Sequence, residues 1–430
     1  MTEQKLSLPA AILINLNIMM GAGIFINTVE LSKRAGMLGA FMYPLVGILI
    51  LPLIVTIANL VKLYPSGGFY MFAYKELSPF IGYFSTWSYF IAKLASATLM
   101  IHVAVSLITQ IFPALLAIGS IFIFDLCILT LFIGLNFLNM KTGSHIQYGF
   151  LIFKLIPVLF VIGSGVLLFS THASVSLPFI WEGIPGSIPF ALYAASGFEA
   201  TCALSSKIEN AQRNGPRAIM ISFGTMMLLV FLFQFIFYAL LGFSLSDQTS
   251  YLGAFPALLQ KLLPAHPILI NKLQALLHFA IACSALGGCY GILYSNNWNL
   301  YILAQHKKIR GWQFLTLLNK HAIPLFCLLA EWLLCVIYLF TSAGNQLILQ
   351  PLAALGTTIA YTISVLALWR AYRSGNYGIW HQLIPCAALI SCLLFITACI
   401  KNFIIFGIAP LVGFGLLLVI GFCLYHPIKK

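Results

Sequence analysis

Five ionisable residues lie within long apolar stretches of the 430-residue chain: Lys93, Asp125, Lys154, Glu199 and Glu331. A charge at the centre of a bilayer costs at least about 2.5 kcal/mol on insertion scales, so such residues are candidates for ion pathways and proton exchange. Glu199 comes directly after a glycine-containing break in its apolar stretch. Burial there favours the neutral carboxyl, whereas the N-terminus of a following half-helix favours the carboxylate. These opposed effects make Glu199 the candidate for proton exchange, with a permanently hydrogen-bonded structural carboxyl as the alternative.

The other four residues carry weaker signals. For Asp125 and Glu331 we favour a structural role in a buried or near-interface hydrogen bond, because nothing near them matches a motif. If Lys93 faces a central cavity, it disfavours cationic substrates by like-charge repulsion and desolvation. Lys154 lies roughly eight residues, or about 12 Å, into its predicted helix. At that depth the side chain would reach the cytoplasmic interface only with difficulty. A lysine that extends to this interface nevertheless stays open as the alternative.

Glycine-containing breaks interrupt two apolar stretches that lie five predicted helices apart. Backbone that leaves a helix at membrane depth is tolerated only where it faces protein or a cavity, because lipid cannot hydrogen-bond to it. Two such breaks in corresponding positions indicate the binding site of a transporter. For a single glycine segment, tight packing of small residues between helices is the alternative. The two breaks are Met20-Gly21-Ala22-Gly23-Ile24-Phe25 and Ala194-Ala195-Ser196-Gly197-Phe198-Glu199.

The elements that must position these residues are transmembrane helices. Hydrophobic residues make up 61% of the chain and charged residues 7%, and the mean hydropathy is +1.01. Each spanning helix needs roughly 20 mostly apolar residues, and such stretches follow one another along the whole chain, so we expect no soluble domain. Residues 254–263 are predicted to form a short amphipathic helix, either on the membrane surface or packed over the substrate entrance. We predict about twelve spans, at residues 9–31, 37–62, 79–108, 114–138, 146–169, 186–206, 217–243, 275–303, 322–342, 347–369, 380–399 and 403–425.

The formal net charge of +13 is arranged by side of the membrane, which argues against nucleic acid as a partner. Most lysines and arginines fall in loops on the N-terminal side. By the positive-inside rule both termini are cytoplasmic, and the helix count is even.

The opening MTEQKLSLPA lacks a basic start and a small-residue cleavage site, so we expect the first helix to be retained. The ten cysteines lie within or at the edges of apolar spans and suggest neither a disulfide framework nor a metal site.

Three motifs resemble the amino acid-polyamine-organocation (APC) transporter family. Residues 21–25 resemble the glycine-rich break in the first helix of that family. Residues 197–200 and the basic loop at residues 207–219 are similar to its sixth helix and the loop that follows. The motif Tyr64-Pro65-Ser66-Gly67-Gly68-Phe69-Tyr70, with Gly82-Tyr83-Phe84 and Trp87 behind it, resembles its loop into the third helix. The resemblance is clear over roughly residues 9–220, and the departures from it are Ala211, Gly215 and Asn297.

The resemblance implies an all-α fold in which helices 1–5 and 6–10 form two inverted repeats. Helices 1 and 6 are broken in this fold, and two further helices follow. The matching ranges are 9–169, 186–369 and 380–425, within one transporter domain at residues 1–430. Helix 1 then runs outward and helix 6 inward, so the two breaks can meet antiparallel near the midplane. We expect a multi-pass protein of the cytoplasmic (inner) membrane, as a monomer or a homodimer, whose last two helices serve as scaffold or oligomer contact.

If the chain has that fold, the two breaks provide groups that can bind an amino acid. An unwound turn exposes free N–H and C=O groups, and each half-helix end carries about half a unit of charge. The substrate carboxylate is expected at the N–H groups around Gly23 and Ile24, much as anions sit at helix N-termini. Its ammonium is expected at carbonyl groups near residues 20–21 and 194–195.

The resemblance also implies roles for four side chains. A glutamate at the position of Glu199 is implicated in proton-linked transport in some members. In proton-coupled members, a lysine on the helix of Lys154 takes the place where sodium-coupled relatives hold an ion, which implies sodium independence and a role for Lys154, with Glu199, in proton coupling. Tyr89 and Tyr193 match positions where family members place aromatic rings around the substrate or as a gate, with packing or interface anchoring as the alternative.

The expected function is secondary active transport of amino acids or related amines by alternating access, coupled to protons and not to sodium. The alternative is a substrate–product exchanger or a transporter-like sensor with the same fold. An intramembrane enzyme is disfavoured, since HExxH, GxSxG and paired aspartates at helical spacing are absent and His102 has no identifiable acidic partner nearby in sequence. A channel would favour charged rings or a repeated filter-like segment. We expect no cofactor, and the partners are the substrate, the proton and the lipid bilayer.

Overall fold

The computed structural model describes residues 5–65, 68–138, 140–172, 178–203, 208–375 and 377–427. Within these ranges the chain is built of α-helices joined by short turns and three 3₁₀ segments, Pro113–Ala117, Trp181–Gly183 and Tyr251–Gly253. Ser66, Gly67 and Lys207 of the sequence motifs lie outside the described residues. In chain order the α-helices are α1 (Leu8–Met19), α2 (Gly23–Ala35), α3 (Leu38–Leu63), α4 (Gly68–Glu76), α5 (Pro79–Ile111), α6 (Ile121–Asn136), α7 (Met140–His172), α8 (Ile184–Ala195), α9 (Ala200–Ala203), α10 (Ala211–Leu241), α11 (Phe243–Ser246), α12 (Ala254–Leu262), α13 (Pro267–Gln305), α14 (Trp312–Leu315), α15 (Leu325–Ser342), α16 (Gln346–Ser374), α17 (Ile379–Phe406) and α18 (Ala409–Leu424).

Among the described residues, nine helical spans are long and apolar enough to cross a membrane. A helix pairs all of its interior backbone groups within itself, which is why apolar stretches in lipid adopt this form. The first of these spans consists of α1 and α2 together, Leu8–Ala35. Two further predicted spans correspond to the shorter apolar helices α6 and α18. The predicted all-α fold of a polytopic membrane protein is therefore confirmed.

The sixth predicted span, residues 186–206, differs most from expectation. It divides into α8 and the single turn of α9, and residues 204–206 lie outside the described part of the chain. The eighth predicted span, residues 275–303, is longer in the structure, where α13 covers Pro267–Gln305. Proline at the first position of α13 suits a helix start, because its missing N–H would have no partner there.

The central helix of the molecule is α5, which packs against α13, α15 and α16. Small residues let these helices approach closely. A side-chain carbon on Gly356 of α16 would lie 2.6 Å from Cβ of Ala92 and 3.1 Å from the carbonyl oxygen of Ser88 on α5. Ser78 caps the start of α5 by accepting a hydrogen bond from the N–H of Ile81 (3.2 Å). This packing holds the middle of α5, with Tyr89 and Lys93, in the interior.

The predicted amphipathic helix at residues 254–263 is present as α12. Its apolar side faces protein, with Phe255, Leu258 and Leu259 buried. The Phe255 ring lies 6.4 Å from the ring of Phe25 on α2 and 5.2 Å from that of Phe237 on α10. The helix α12 therefore covers part of the first broken span, and its position relative to the membrane surface and the substrate entrance stays a prediction.

Candidate functional site

The first break lies between the end of α1 at Met19 and the start of α2 at Gly23. Its carbonyl groups already have partners. Lys154 donates hydrogen bonds from Nζ to the carbonyl oxygens of Asn17 and Met20, the latter at 2.8 Å. Ser284 on α13 donates from Oγ to the carbonyl oxygens of Met20 and Gly21, both at 3.0 Å. The break is therefore held open by two side chains from other helices.

Lys154 is fully buried on α7. Its ammonium lies at the C-terminal end of α1, where the aligned peptide dipoles carry partial negative charge. Unpaired carbonyl groups at that helix end need donors, and the lysine supplies them. The alternative that Lys154 reaches the membrane interface is thus wrong. From α7, the lysine binds the end of the first half of the broken first span.

The start of α2 presents N–H groups on the opposite side of the same break. The carbonyl oxygen of Ala22 accepts hydrogen bonds from the N–H groups of Phe25 (3.0 Å) and Ile26 (3.1 Å). The N–H groups of Gly23 and Ile24 precede these and have no acceptor within their own helix. An anion placed here would also gain from the positive end of the α2 dipole.

The second break lies between the end of α8 at Ala195 and the start of α9 at Ala200. Gly197 has φ +119°, a conformation that side-chain-bearing residues rarely adopt. Its N–H donates a hydrogen bond to Oε2 of Glu199 (2.8 Å). The turn therefore binds the carboxylate that follows it, and the last carbonyl groups of α8 are left without intrahelical partners.

The two breaks contact each other directly. A side-chain carbon on Gly23 would lie 3.1 Å from Cα and Cβ of Ala194 and 3.1 Å from Cδ1 of Tyr193. One on Gly197 would lie 3.0 Å from the backbone nitrogen of Met19. A side chain at either place would require neighbouring atoms of the other span to shift, and at Gly197 it would also have to adopt the positive φ.

Glu199 is fully buried and has three partners. Besides the Gly197 N–H, it accepts a hydrogen bond from the Tyr89 hydroxyl at 2.9 Å and pairs with Nζ of Lys93 at 2.7 Å, both through Oε1. The Lys93 ammonium also lies 5.4 Å from the centre of the Tyr89 ring. Each added donor and the nearby positive charge favours the carboxylate over the neutral acid. In this conformation Glu199 is a fully hydrogen-bonded carboxylate.

A small cavity lies where the two breaks meet, and about 10 Å³ of it is open to the centre of a water-sized sphere. Tyr193 lines it, and its hydroxyl lies beside the side chain of Ser96. Tyr89 does not line this cavity; its ring packs 4.6 Å from that of Phe69 and its hydroxyl holds Glu199. The lining residues are Ile18, Met19, Gly23, Lys93, Ser96, Met100, Tyr193, Ala194, Ser196 and Ile292.

Lys93 thus faces a cavity, which was the condition for its predicted effect on cationic substrates. Its charge is not free, however, because Glu199 pairs with it. The pair is close to neutral as a whole, so repulsion of a cationic substrate by Lys93 is weaker than the sequence alone suggested. Ser96 and Met100 were not among the predicted site residues. Their positions three and seven residues after Lys93 lie on the same helix face, which is the signal that would have identified them.

A second buried pair was not foreseen. Nδ1 of His102 on α5 lies 2.8 Å from Oδ2 of Asp125 on α6. The prediction that Asp125 makes a buried hydrogen bond is confirmed. His102 has no acidic residue close to it in sequence, as expected, but Asp125 lies beside it in the structure. Gly344, with φ +71°, packs against the imidazole ring. Glu331 is also fully buried, and its carboxyl group lies beside the side-chain amide of Asn296.

Comparison with known proteins agrees with this architecture. A family model described as amino acid permease matches residues 6–424. The chain is 24% identical over 402 residues to the serine permease SerP1 of Lactococcus lactis subsp. cremoris (strain MG1363), an alignment that covers 83% of this chain and 82% of the permease. The matches confirm the resemblance carried by the three sequence motifs, and they point to a membrane-embedded transporter and not to an enzyme. Since the family model covers nearly the whole chain, the protein belongs to the amino acid permease family.

Proposed function

We propose that this protein moves a small neutral amino acid, or a closely related amine, across the cytoplasmic membrane by alternating access, coupled to protons. The observation that carries the proposal is the direct contact of the two breaks around one cavity, next to the buried pair of Lys93 and Glu199. Helix ends of both signs meet there, and this is the environment that a zwitterion requires.

The proposed substrate carboxylate binds the N–H groups of Gly23 and Ile24 at the start of α2. Its ammonium binds the carbonyl groups of Ala194 and Ala195 at the end of α8. This side is favoured over the Met20 and Gly21 carbonyls of the first break, because those already accept hydrogen bonds. Ala22, Ser196 and Gly197 complete the two turns.

The cavity favours a small side chain. Only about 10 Å³ of it is open to the centre of a water-sized sphere, which is room for about one water molecule, so a small substrate requires the least separation of its walls. Met100 and Ile292 line it together with the polar Ser96 and Tyr193. The relative SerP1 is named as a serine permease, and serine is accordingly the first substrate to test.

We further propose that the proton binds Glu199 and that sodium is not used. The ammonium of Lys154 supplies the positive charge at the C-terminal end of α1, where it binds two carbonyl oxygens. A sodium ion would need those same oxygens as ligands. Tyr193 is proposed to act beside the substrate as a gate, while Tyr89 positions Glu199.

The proposal includes the arrangement of the whole chain. Residues 9–169 and 186–369 are taken as the two inverted repeats, each beginning with a broken span, and residues 380–425 as two added helices. Both termini are placed in the cytoplasm, in agreement with the distribution of basic loops. A monomer or a homodimer is compatible with this arrangement.

Uptake by purified protein in liposomes tests the proposal. Radiolabelled serine and a panel of other amino acids are offered with an imposed proton gradient, with an imposed sodium gradient, or with unlabelled substrate inside. Uptake driven by the proton gradient alone supports the proposal, and uptake that needs preloaded substrate supports the exchanger. Binding without uptake supports the sensor. Sodium-dependent uptake that ignores pH contradicts the assignments of Glu199 and Lys154.

The Gly23→Leu variant tests the location of the site. We expect it to lose serine binding, since the leucine would occupy the contact with Ala194. Gly224→Leu is the matched control, because Gly224 is exposed on α10 and no atom lies within 4 Å of the position of its side-chain carbon. Serine binding retained by Gly23→Leu would place the site elsewhere.

A further inference from the structure

Lys93 is the one basic side chain that both lines the cavity and pairs with Glu199, as far as the described residues show. Its Nζ lies 2.7 Å from Oε1 of Glu199, and the two side chains are 4% and 0% exposed. The same lysine borders the cavity next to Gly23, at the N-terminus of α2. A single ammonium therefore stands between the buried carboxylate and the proposed position of the substrate carboxylate.

The other groups around the pair cannot replace this charge. Tyr89 on α5 donates a hydrogen bond to Glu199, and Tyr361 on α16 and Cys202 on α9 also lie near its carboxylate. These three groups are neutral in their ordinary protonated forms. Among the described residues, Lys93 is thus the cation that balances Glu199.

A second carboxylate in this space changes the balance. One ammonium can fully neutralise one buried carboxylate, and two carboxylates that share a site cannot both stay ionised easily. When the second one arrives, Glu199 loses part of its counter-charge and takes up a proton from water on a carboxylate oxygen. When the substrate leaves, the pair re-forms and the proton is released.

We propose that Lys93 is shared between the substrate carboxylate and Glu199, so that substrate binding and protonation of Glu199 favour each other. This inference rests on the proposed function and adds the residue that would link substrate to proton. Lys93 acts as a positioning residue for the proton site. By thermodynamic reciprocity, protonation of Glu199 must strengthen substrate binding by the same factor with which substrate strengthens proton binding.

The test measures protons exchanged on binding. Purified full-length protein in detergent is titrated with serine by calorimetry in two buffers of different ionisation enthalpy at the same pH. The difference between the two observed enthalpies gives the number of protons taken up. We expect the wild type to take up as much as one proton per bound serine, and serine affinity to rise by as much as about tenfold for each unit of falling pH. Serinamide, which lacks the carboxylate, is expected to bind without proton uptake.

Three variants test whether Lys93 is the residue that links serine binding to proton uptake. Lys93→Met is expected to bind serine without proton uptake and without pH dependence, whereas Lys93→Arg keeps both. Lys401→Met removes an exposed positive charge from α17 and is the matched control, with proton uptake as in the wild type. Proton uptake by Lys93→Met equal to that of the wild type would overturn the proposal.

A second comparison remains decisive if Lys93→Met does not fold, because removing both charges leaves no unpaired buried ion. Glu199→Gln imitates the protonated acid and is expected to bind serine about 5- to 150-fold more tightly than the wild type at neutral pH. Adding Lys93→Met to Glu199→Gln should remove that gain, and an unchanged affinity would refute the sharing of Lys93. A wild type that transports serine without exchanging protons on binding also refutes it. A wild type that binds no amino acid refutes the proposed function instead.

Discussion

Replacing Gly23 with alanine tests whether the close contact of the two breaks is needed for transport. The added methyl carbon would lie 3.1 Å from Cα and Cβ of Ala194 and from Cδ1 of Tyr193. Because ordinary contact begins near 3.4 Å, these neighbours must retreat by about 0.3 Å. The Tyr193 ring can turn aside, but Cα of Ala194 belongs to the backbone at the end of α8, so the two broken spans must separate.

The cost follows from the kind of contact. Forcing an extra methyl group into a packed interior typically costs about 1–3 kcal/mol. If this cost falls on the conformation that binds substrate, serine affinity drops by about 5- to 150-fold. The loss of glycine itself should add nothing unfavourable, since alanine is favoured over glycine within helices by about 1 kcal/mol.

The assay is equilibrium binding of labelled serine to purified protein, followed by uptake into liposomes. Gly224→Ala on α10 is the control, because open space surrounds Gly224. Alanine in place of Gly224 is expected to stabilise α10 by up to about 1 kcal/mol and to leave serine binding unchanged. If Gly23→Ala and Gly224→Ala bind serine equally well, the contact between the breaks is not part of the binding conformation and our reasoning about the site is refuted.

Three other substitutions have expected outcomes that can be measured. Lys154→Met removes a donor to the carbonyl oxygens of Asn17 and Met20, and Ser284 still donates to Met20. We expect a loss of about 1–3 kcal/mol for the Asn17 carbonyl group, seen as a lower thermal unfolding midpoint and at least about tenfold slower serine uptake. Tyr89→Phe removes one hydrogen bond to the Glu199 carboxylate, so the charged form loses about 1.5–3 kcal/mol of stabilisation. We expect the pH profile of uptake to shift to higher pH. If Tyr89 serves only in packing, the pH profile stays where it is. His102→Ala removes the partly exposed partner of the buried Asp125, and the expected destabilisation of about 1–3 kcal/mol in a denaturation assay should largely disappear when Asp125→Asn is added.

The fold and the two breaks could be predicted because they depend on local sequence. Apolar runs of sufficient length become helices in a membrane, and small residues with glycine interrupt them where backbone must leave the helix. Helical periodicity on α5 extends this to part of the cavity, since Tyr89, Lys93, Ser96 and Met100 follow one another at intervals of three or four residues. These inferences need no knowledge of which helix lies beside which.

The partners of the charged residues could not be predicted, because they lie far apart in sequence. Lys154 binds Met20 across 134 positions, and Ser284 does so across 264. Lys93 meets Glu199 only because α5 passes the second break. A sequence can show that a buried charge needs a partner, but the choice depends on helix packing. For the same reason the hydrogen bond of Asp125 was predicted but its partner His102 was not.

The two interior lysines near the breaks differ in what their charges can do. Lys154 is held by backbone carbonyl oxygens at the end of α1, and these partners cannot change their charge. Its ammonium can leave those oxygens only if that helix end rearranges or if the amine loses its proton. Lys93 is paired with Glu199, a group that can be neutralised by one proton and so release the ammonium toward the cavity. Of these two lysines, Lys93 is therefore the one whose partner can take up a proton when substrate binds.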